Sequence, residues 1–450
     1  MTVLPRRVAI TVFLAFAFAY FFSALIRAIT ATLSPTLTPE FGLNARDLGL
    51  LAGGYFLGFA ATQLPLGTWL DRHGPKRVIL WFLSVAVLGC VAFSMATSFA
   101  GLLAARVLCG VGVSACLMAP LTGYRRWFDA TTQLRTNSWM LMSGSLGMVA
   151  STLPVQWLMP VVGWRALFLG LAALVLLAMV VIAWLVPRWD VAGEAKNTGA
   201  DGMVAPESAA PIGLTASPNP RASGEPGKSH AAGVPRASGS YADVWRHPYF
   251  RKMAPVGFFC YGGLVAVQSL WAVPWMTRVA GYTALEAATG LFWINIGMLC
   301  SFWAWGMASP WLARHQWRAE RLMALGLPFS FVILAITIIA NYALLTWASG
   351  FLALYCMACT FVSLAQPAVG MAFPAALAGR ALSAYNLVIF AGVFVIQWGI
   401  GLLIDGFKAL GFSEVQSFQA AFAIFLACSV ASYVHFLMAK SHNQDPLPRD

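Results

Sequence analysis

Arg27 is a lone cation in the run Phe13 to Leu33, which is otherwise apolar and long enough to cross a bilayer. A guanidinium at that depth costs roughly 2.5 to 3.5 kcal/mol on insertion scales, so it must face a polar cavity or a protein partner. Its forked donor set matches carboxylate or phosphate-like oxygens, which makes it a binding group for a small anion. The alternative is a structural arginine held by backbone carbonyls or neighbouring helices. Tyr20, Ser23, Thr30 and Ser34 recur with Arg27 at intervals of three or four, a polar stripe along one helix face.

Further polar residues are candidates for the same cavity. They are Tyr55, Thr62 and Gln63; Tyr261, Gln268 and Trp275 at seven-residue intervals, with Trp271 on the same side; Asn295; Tyr355, Cys359 and Gln366; and Asn386 and Gln397. Each has a plainer reading, because Tyr and Trp form interfacial belts and Asn or Gln hold helices together. None of the 16 acidic residues or six histidines falls near the middle of an expected span. The cavity should therefore be positive and lined by neutral polar and aromatic groups. That fits a small organic anion, a carboxylate or an amino-acid-like solute as substrate. The usual carrier for a coupling proton is missing, which leaves a proton carried on the substrate or through Asp71, anion exchange and facilitated diffusion all open.

The elements that would position these groups are membrane helices. Of 450 residues, 60% are hydrophobic and 10% charged, and the mean hydropathy is +0.74, which excludes a soluble domain of this size. Twelve apolar stretches are separated by short polar turns: 8–33, 48–70, 78–98, 101–123, 137–160, 165–186, 250–276, 286–308, 322–341, 345–367, 381–404 and 417–438. The run after Arg6 and Arg7 is too long for a signal peptide and lacks a small-residue cleavage pattern, so it counts as the first span. With the N-terminus inside, the outer segments hold only Arg46, Arg165, Arg278 and Lys408, and Arg27 and Arg106 lie within spans. Every other Lys or Arg of the 28 falls on the cytoplasmic side, as the positive-inside rule requires. Topology thus explains the net charge of +12 without a nucleic-acid partner. All eight cysteines fall inside spans, so no disulfide is expected; the CxxC at Cys356 and Cys359 has no second ligand pair and reads as packing.

Between Pro187 and Arg246 the composition turns to Ala, Gly, Pro and Ser with scattered charges, too polar to bury an ordered core. The expected organisation is an N-terminal six-helix bundle (1–186), a disordered cytoplasmic linker (187–246) and a C-terminal six-helix bundle (247–450). Two such halves are the arrangement of transporters built from parallel repeats around a midplane site. A single twelve-helix channel or enzyme bundle is the alternative.

After the second span the chain reads Gly67-Thr-Trp-Leu-Asp71-Arg72-His-Gly74-Pro-Lys76-Arg77. Gly67 would let two helices approach closely, and the basic residues would anchor the turn at the membrane surface. This turn closely resembles the signature of the major facilitator superfamily between spans two and three. The resemblance implies twelve helices in two bundles and a conformational latch formed by Gly67, Asp71, Arg72, Gly74, Lys76 and Arg77. The matching turn of the second half, with Arg314, Arg318 and Arg321, keeps the basic residues but has Ala313 where Asp71 would align. Span four reads Arg106-Val-Leu-Cys-Gly110-Val-Gly112, similar to a second family pattern in which the arginine serves proton coupling in some members and structure in others. The Gly-rich, Gly-Pro pattern of family exporters is only partly present: Gly144 and Gly147 stand on span five, but Pro154 follows seven residues later.

The sequence reading is therefore a secondary active transporter moving a small anionic solute by alternating access, in a bacterial inner membrane with both termini cytoplasmic. Alternatives are a proton-coupled drug exporter of the same family and a non-transporting membrane sensor. There are no paired intramembrane carboxylates, no HExxH, no usable GxSxG and no GxxxxGK[ST], so no enzyme, cofactor, metal or ATP site is expected.

Overall fold

The computed structural model describes residues 4–128, 130–187, 240–315, 317–339 and 346–439, and among them every regular element is helical. The first half comprises α1 (Arg6–Phe41), α2 (Ala45–Ala61), α3 (Gln63–Met95), α4 (Phe99–Val113), α5 (Ala115–Trp127), α6 (Ala130–Ala150) and α7 (Leu153–Leu185). The second comprises α8 (Tyr241–Arg246), α9 (Pro248–Arg278), α10 (Ala284–Arg314), α11 (Ala319–Ile339), α12 (Ala348–Met371), α13 (Ala375–Ala409) and α14 (Glu414–Met438).

Ten helices among the described residues are long and apolar enough to cross a membrane, against the twelve expected. The two shortfalls are the second and fifth spans, each broken partway. The second divides at Thr62, between α2 and the start of α3; the fifth divides at Ser151 and Thr152, between α6 and the start of α7. Thr62, Ser151 and Thr152 each turn the hydroxyl back onto a carbonyl three residues earlier, a local bond that competes with the helix ladder. α3 and α7 are also bent, at Gly74 (φ 76°, ψ 161°) and Gly163 (φ 73°, ψ 163°). Both conformations are open to glycine and costly for other residues, so these two positions set where the chain turns back.

Lipid is the expected environment of the outer faces. The most apolar stretch of α7 is less than half buried, and Trp157, Val161 and Trp184 stand exposed along it. Of the expected linker, 188–239 lies outside the described residues. Its last residues are ordered, contrary to expectation: Ser240 and Asp243 form a reciprocal capping box that starts α8.

The halves meet along α2 and α13, which pack side by side, while α1 packs on α9 and α10 on α6. Small residues make the first contact close. A side chain at Gly49 would fall on the Gln397 carbonyl, one at Gly53 on Phe394, and one at Gly401 on the Ala45 carbonyl. Asp405 completes this end: its carboxylate accepts the backbone N–H groups of Ala45 (3.2 Å) and Arg46 (2.8 Å), the first two residues of α2.

Candidate functional site

Every residue of α1 from Phe22 to Ser34 is buried except Arg27, whose side chain is partly open. Two groups place it. The fully buried Arg106 of α4 donates from Nη1 to the Ile26 carbonyl (2.9 Å) and from Nη2 to that of Arg27 (3.5 Å), with its guanidinium 5.1 Å from the centre of the Tyr55 ring. Arg106 thus holds the backbone that carries Arg27, which is a positioning role. Gly144 and Gly147 bring α6 against α1, with Gly144 beneath the Tyr20 ring and Gly147 against the Phe21 carbonyl.

Arg27 Nη2 lies 3.7 Å from the Met148 sulfur on α6, and Gln268 Nε2 on α9 lies 3.7 Å from that same atom. Groups from both halves therefore converge on one thioether, a weak acceptor. Gln268 also donates to Asn295 Oδ1 (2.6 Å), and Asn295 donates to the Leu291 carbonyl (2.9 Å). The Arg27 charge is within electrostatic reach of the phenols of Tyr55 and Tyr261.

Span seven owes its register to two π-helical turns, Gly257–Tyr261 and Val267–Trp271, which hold Tyr261, Gln268 and Trp271. Such wide turns recur at functional sites and rotate the face that follows. This is why the seven-residue spacing does not keep Trp275 with Gln268: Trp275 is fully buried against Phe418 and Phe422 of α14. Trp271 is also fully buried and donates to the Gln397 carbonyl (3.1 Å), while Gln397 Nε2 donates to Ser269 (3.0 Å).

The remaining polar candidates spread over several surroundings. Tyr55 donates to the Ser23 backbone carbonyl (3.4 Å), while the Ser23 side chain bonds to Cys116 of α5. Thr30 is buried, and Gln63 is buried with its amide on the Phe59 carbonyl (3.3 Å). Gln366 and Asn386 bond to each other (2.7 Å). A cavity of about 240 Å³ opens at the end marked by Asp405, lined among others by Ser34, Asn44, Trp271, Lys408 and Glu414; it does not include Arg27.

In the signature turn, the Asp71 side chain lies outside what the structure describes. Arg72 and Arg77 are exposed, and Lys76 donates to the Val186 carbonyl (2.6 Å) at the end of α7. Gly67 departs from expectation, since a side chain there would meet nothing within 4 Å. The close helix approach occurs instead on span four, where a side chain at Gly110 would strike the Tyr55 carbonyl and one at Gly112 the Ala86 backbone. All eight cysteines are free.

Met148, Ser269 and Asp405 were not singled out by sequence. Met148 reads as core filling, and Asp405 only as a charge at a helix end. Asp405 nevertheless has a signal, because Gly401-Leu-Leu-Ile-Asp405 repeats the Gly-x-x-x-Asp spacing of Gly67 to Asp71.

A family model described as Major Facilitator Superfamily matches residues 16–397. Among curated relatives, a probable L-galactonate transporter of Escherichia coli is 26% identical over 174 residues, 38% of this chain and 37% of that protein. A 4-hydroxybenzoate transporter, PcaK, of Acinetobacter baylyi is 27% identical over 36% of each chain. A gallate transporter of Pseudomonas putida is 25% identical over 63% of this chain and 62% of its own. The chain thus spans from about a third to three fifths of the length of these relatives. In fold it is similar to a bacterial homologue of the human lysosomal transporter Spinster in an inward-facing conformation (TM-score 0.70, 14% identity, 97% of each chain). It is also similar to a D-xylose–proton symporter (TM-score 0.70, 11% identity, 96% of this chain and 98% of that one).

Proposed function

The chain belongs to the Major Facilitator Superfamily, and from that premise we propose that it is a secondary transporter of a small organic anion, working by alternating access. One observation carries this reading: Arg27 from the first half and Gln268 from the second aim their donors at a single weak acceptor, Met148. A substrate carboxylate taking the place of that sulfur would meet a charged fork and an amide at once. Charge-assisted bonds of this kind are roughly twice as strong as neutral ones. Bridging both halves, the anion would couple its own binding to their relative motion.

Several observations support the reading. The relatives are named as transporters of galactonate (a probable one), 4-hydroxybenzoate and gallate, all of them organic anions. They favour anion transport over drug export or a sensor role. Phe59 and Phe390, 4.4 Å apart across the two halves, add an apolar surface suited to the body of an organic acid. The charge asymmetry of the loops supports a cytoplasmic Gly74 and an outer Asp405, and the bacterial relatives support an inner-membrane location. The α2–α13 seal with Asp405 is then an outer gate in its closed state.

Uptake in proteoliposomes by Arg27→Lys and Arg27→Ala tests the proposal, with galactonate, hydroxybenzoate and gallate as probes. The alanine variant should lose affinity for the transported anion by at least tenfold, as expected for a charged hydrogen bond of about 1.5 to 3 kcal/mol. Unchanged half-saturation in both variants would remove Arg27 from the site.

A further inference from the structure

A second cleft, of about 280 Å³, lies away from this path between the ends of α9, α11 and α14. Its lining is Lys252, Arg318, Glu320, Arg321, Ala324, Phe436 and Leu437. Three cations face one carboxylate, a balance of +2. Glu320 is already engaged: its Oε2 lies 2.9 Å from Lys252 Nζ, and the Tyr249 hydroxyl bonds to it as well. Lys252 is only 7% exposed, and its ammonium stands 5.1 Å from the centre of the Phe436 ring. Arg318 and Arg321 are exposed at the rim, and Arg321 stacks over Trp317 at 4.7 Å.

The position of the cleft narrows what could fill it. Trp245 and Trp311 are exposed at this end of the bundle, an aromatic belt at the level of the headgroups. Below the cations the surface turns apolar and open, with Leu325 (54% exposed) on α11 and Leu437 (53%) on α14. A ligand here would need a negative group between the two arginines and a hydrocarbon tail running down the outside of the helices. Guanidinium forks match phosphate oxygens in pairs, and basic pockets between membrane helices suit anionic headgroups. With Glu320 occupied by Lys252, a headgroup that carries its own cation finds no free partner among the lining side chains.

We propose that this cleft is a binding site for the phosphate headgroup of an anionic phospholipid, held by Arg318 and Arg321 over the Lys252–Glu320 pair. The lipid joins α9, α11 and α14 at one end and stabilises the second half without touching the transport path.

Native mass spectrometry of the full-length protein in detergent tests this, with phosphatidylglycerol and phosphatidylcholine as probes. The protein should retain phosphatidylglycerol preferentially, and high salt should weaken the retention. Arg318→Gln with Arg321→Gln should reduce it about 25-fold, at about fivefold per surface charge. Glu320→Gln, which raises the local charge, should strengthen it and keeps the test independent of how the double variant folds. Equal retention of the two lipids, or a salt-insensitive preference, would overturn the proposal. So would glycerol 3-phosphate competing as well as the intact lipid, since the site would then take a soluble phosphate.

Discussion

Lys76 donates to the carbonyl of Val186, 2.6 Å away, and its counterpart at the other end of the same helix pair is Arg165, which donates to the carbonyl of Ala96 at 3.3 Å. Each base stands two residues after a glycine of positive φ, Gly74 or Gly163, and each reaches the residue that ends the neighbouring helix. α3 and α7 therefore close on one another reciprocally, with a cation beside the negative end of each dipole. Glu40 holds Arg165 in place through a 2.7 Å ion pair and also accepts the Trp164 indole N–H at 2.7 Å.

Lys76→Met and Arg165→Met should each lower the melting temperature, with about 0.3 to 1 kcal/mol lost from the dipole contact alone. The two sites are about 30 Å apart along α3. Thermal denaturation of the double variant should show the sum of the single effects.

If a carboxylate displaces the Met148 sulfur, removing that sulfur should not harm binding. Met148→Leu should leave the half-saturation for the anion unchanged or lower it. Gln268→Leu should raise it about tenfold or more, the loss of a hydrogen bond to a charged group. Concentration-dependent uptake separates these outcomes, and a large rise in Met148→Leu would mean that the sulfur itself serves the substrate.

Asp405 acts on α2 as a helix-capping acceptor, worth about 0.5 to 2 kcal/mol. Asp405→Ala should shift the carrier toward the state open at that end by about 2- to 30-fold. A cysteine placed at Thr38, which lines the cavity there, reports this as faster labelling by an impermeant maleimide. Labelling at the parent rate would show that the contact does not govern the gate.

Glycines in similar motifs should respond differently. Gly110→Ala forces a methyl onto the Tyr55 carbonyl, an overpacking that typically costs about 1 to 3 kcal/mol. Gly67→Ala meets open space in this conformation, so its melting temperature should be close to that of the parent. If Gly67 serves a latch formed in the opposite state, its alanine variant will be stable and slow, which a melting curve and a transport rate measured together would reveal.

His247 caps α9 with a neutral ring, as Nδ1 accepts the Tyr249 N–H at 3.3 Å and the imidazole lies 4.5 Å from Phe373. Burial holds its pKa below the ordinary value of about 6.5. The unfolded chain therefore takes up the proton first, and the stabilisation is complete above pH 6.5 and is lost as pH falls below it. His247→Asn keeps a capping oxygen without a titration. Melting temperatures compared between pH 7.5 and 5 should fall less in this variant than in the parent.

Much of this architecture is legible in the chain because lipid imposes a simple rule on apolar length. Arg27 could be found for the same reason, since one charge in a long apolar run stands out against its surroundings. The breaks at Thr62 and Thr152 could not, because a hydroxyl bonding back to its own helix leaves no trace in hydropathy. Trp275 was misplaced because a regular helical period carries straight through the two π turns, which depend on packing between helices. Met148 was invisible for a simpler reason: a methionine in a membrane helix looks like every other piece of core until two donors are seen to share it.

Asp405 binds its partner through peptide N–H groups, which every residue except proline supplies. Side-chain changes at Ala45 and Arg46 can therefore drift freely without unfastening the closure, and its chemical identity rests on a single carboxyl group. A fastening built this way is vulnerable at that carboxylate and at Gly49, Gly53 and Gly401, where an added side chain would meet the facing helix. The same surface can be retuned for other solutes, provided that the aspartate and these glycines persist.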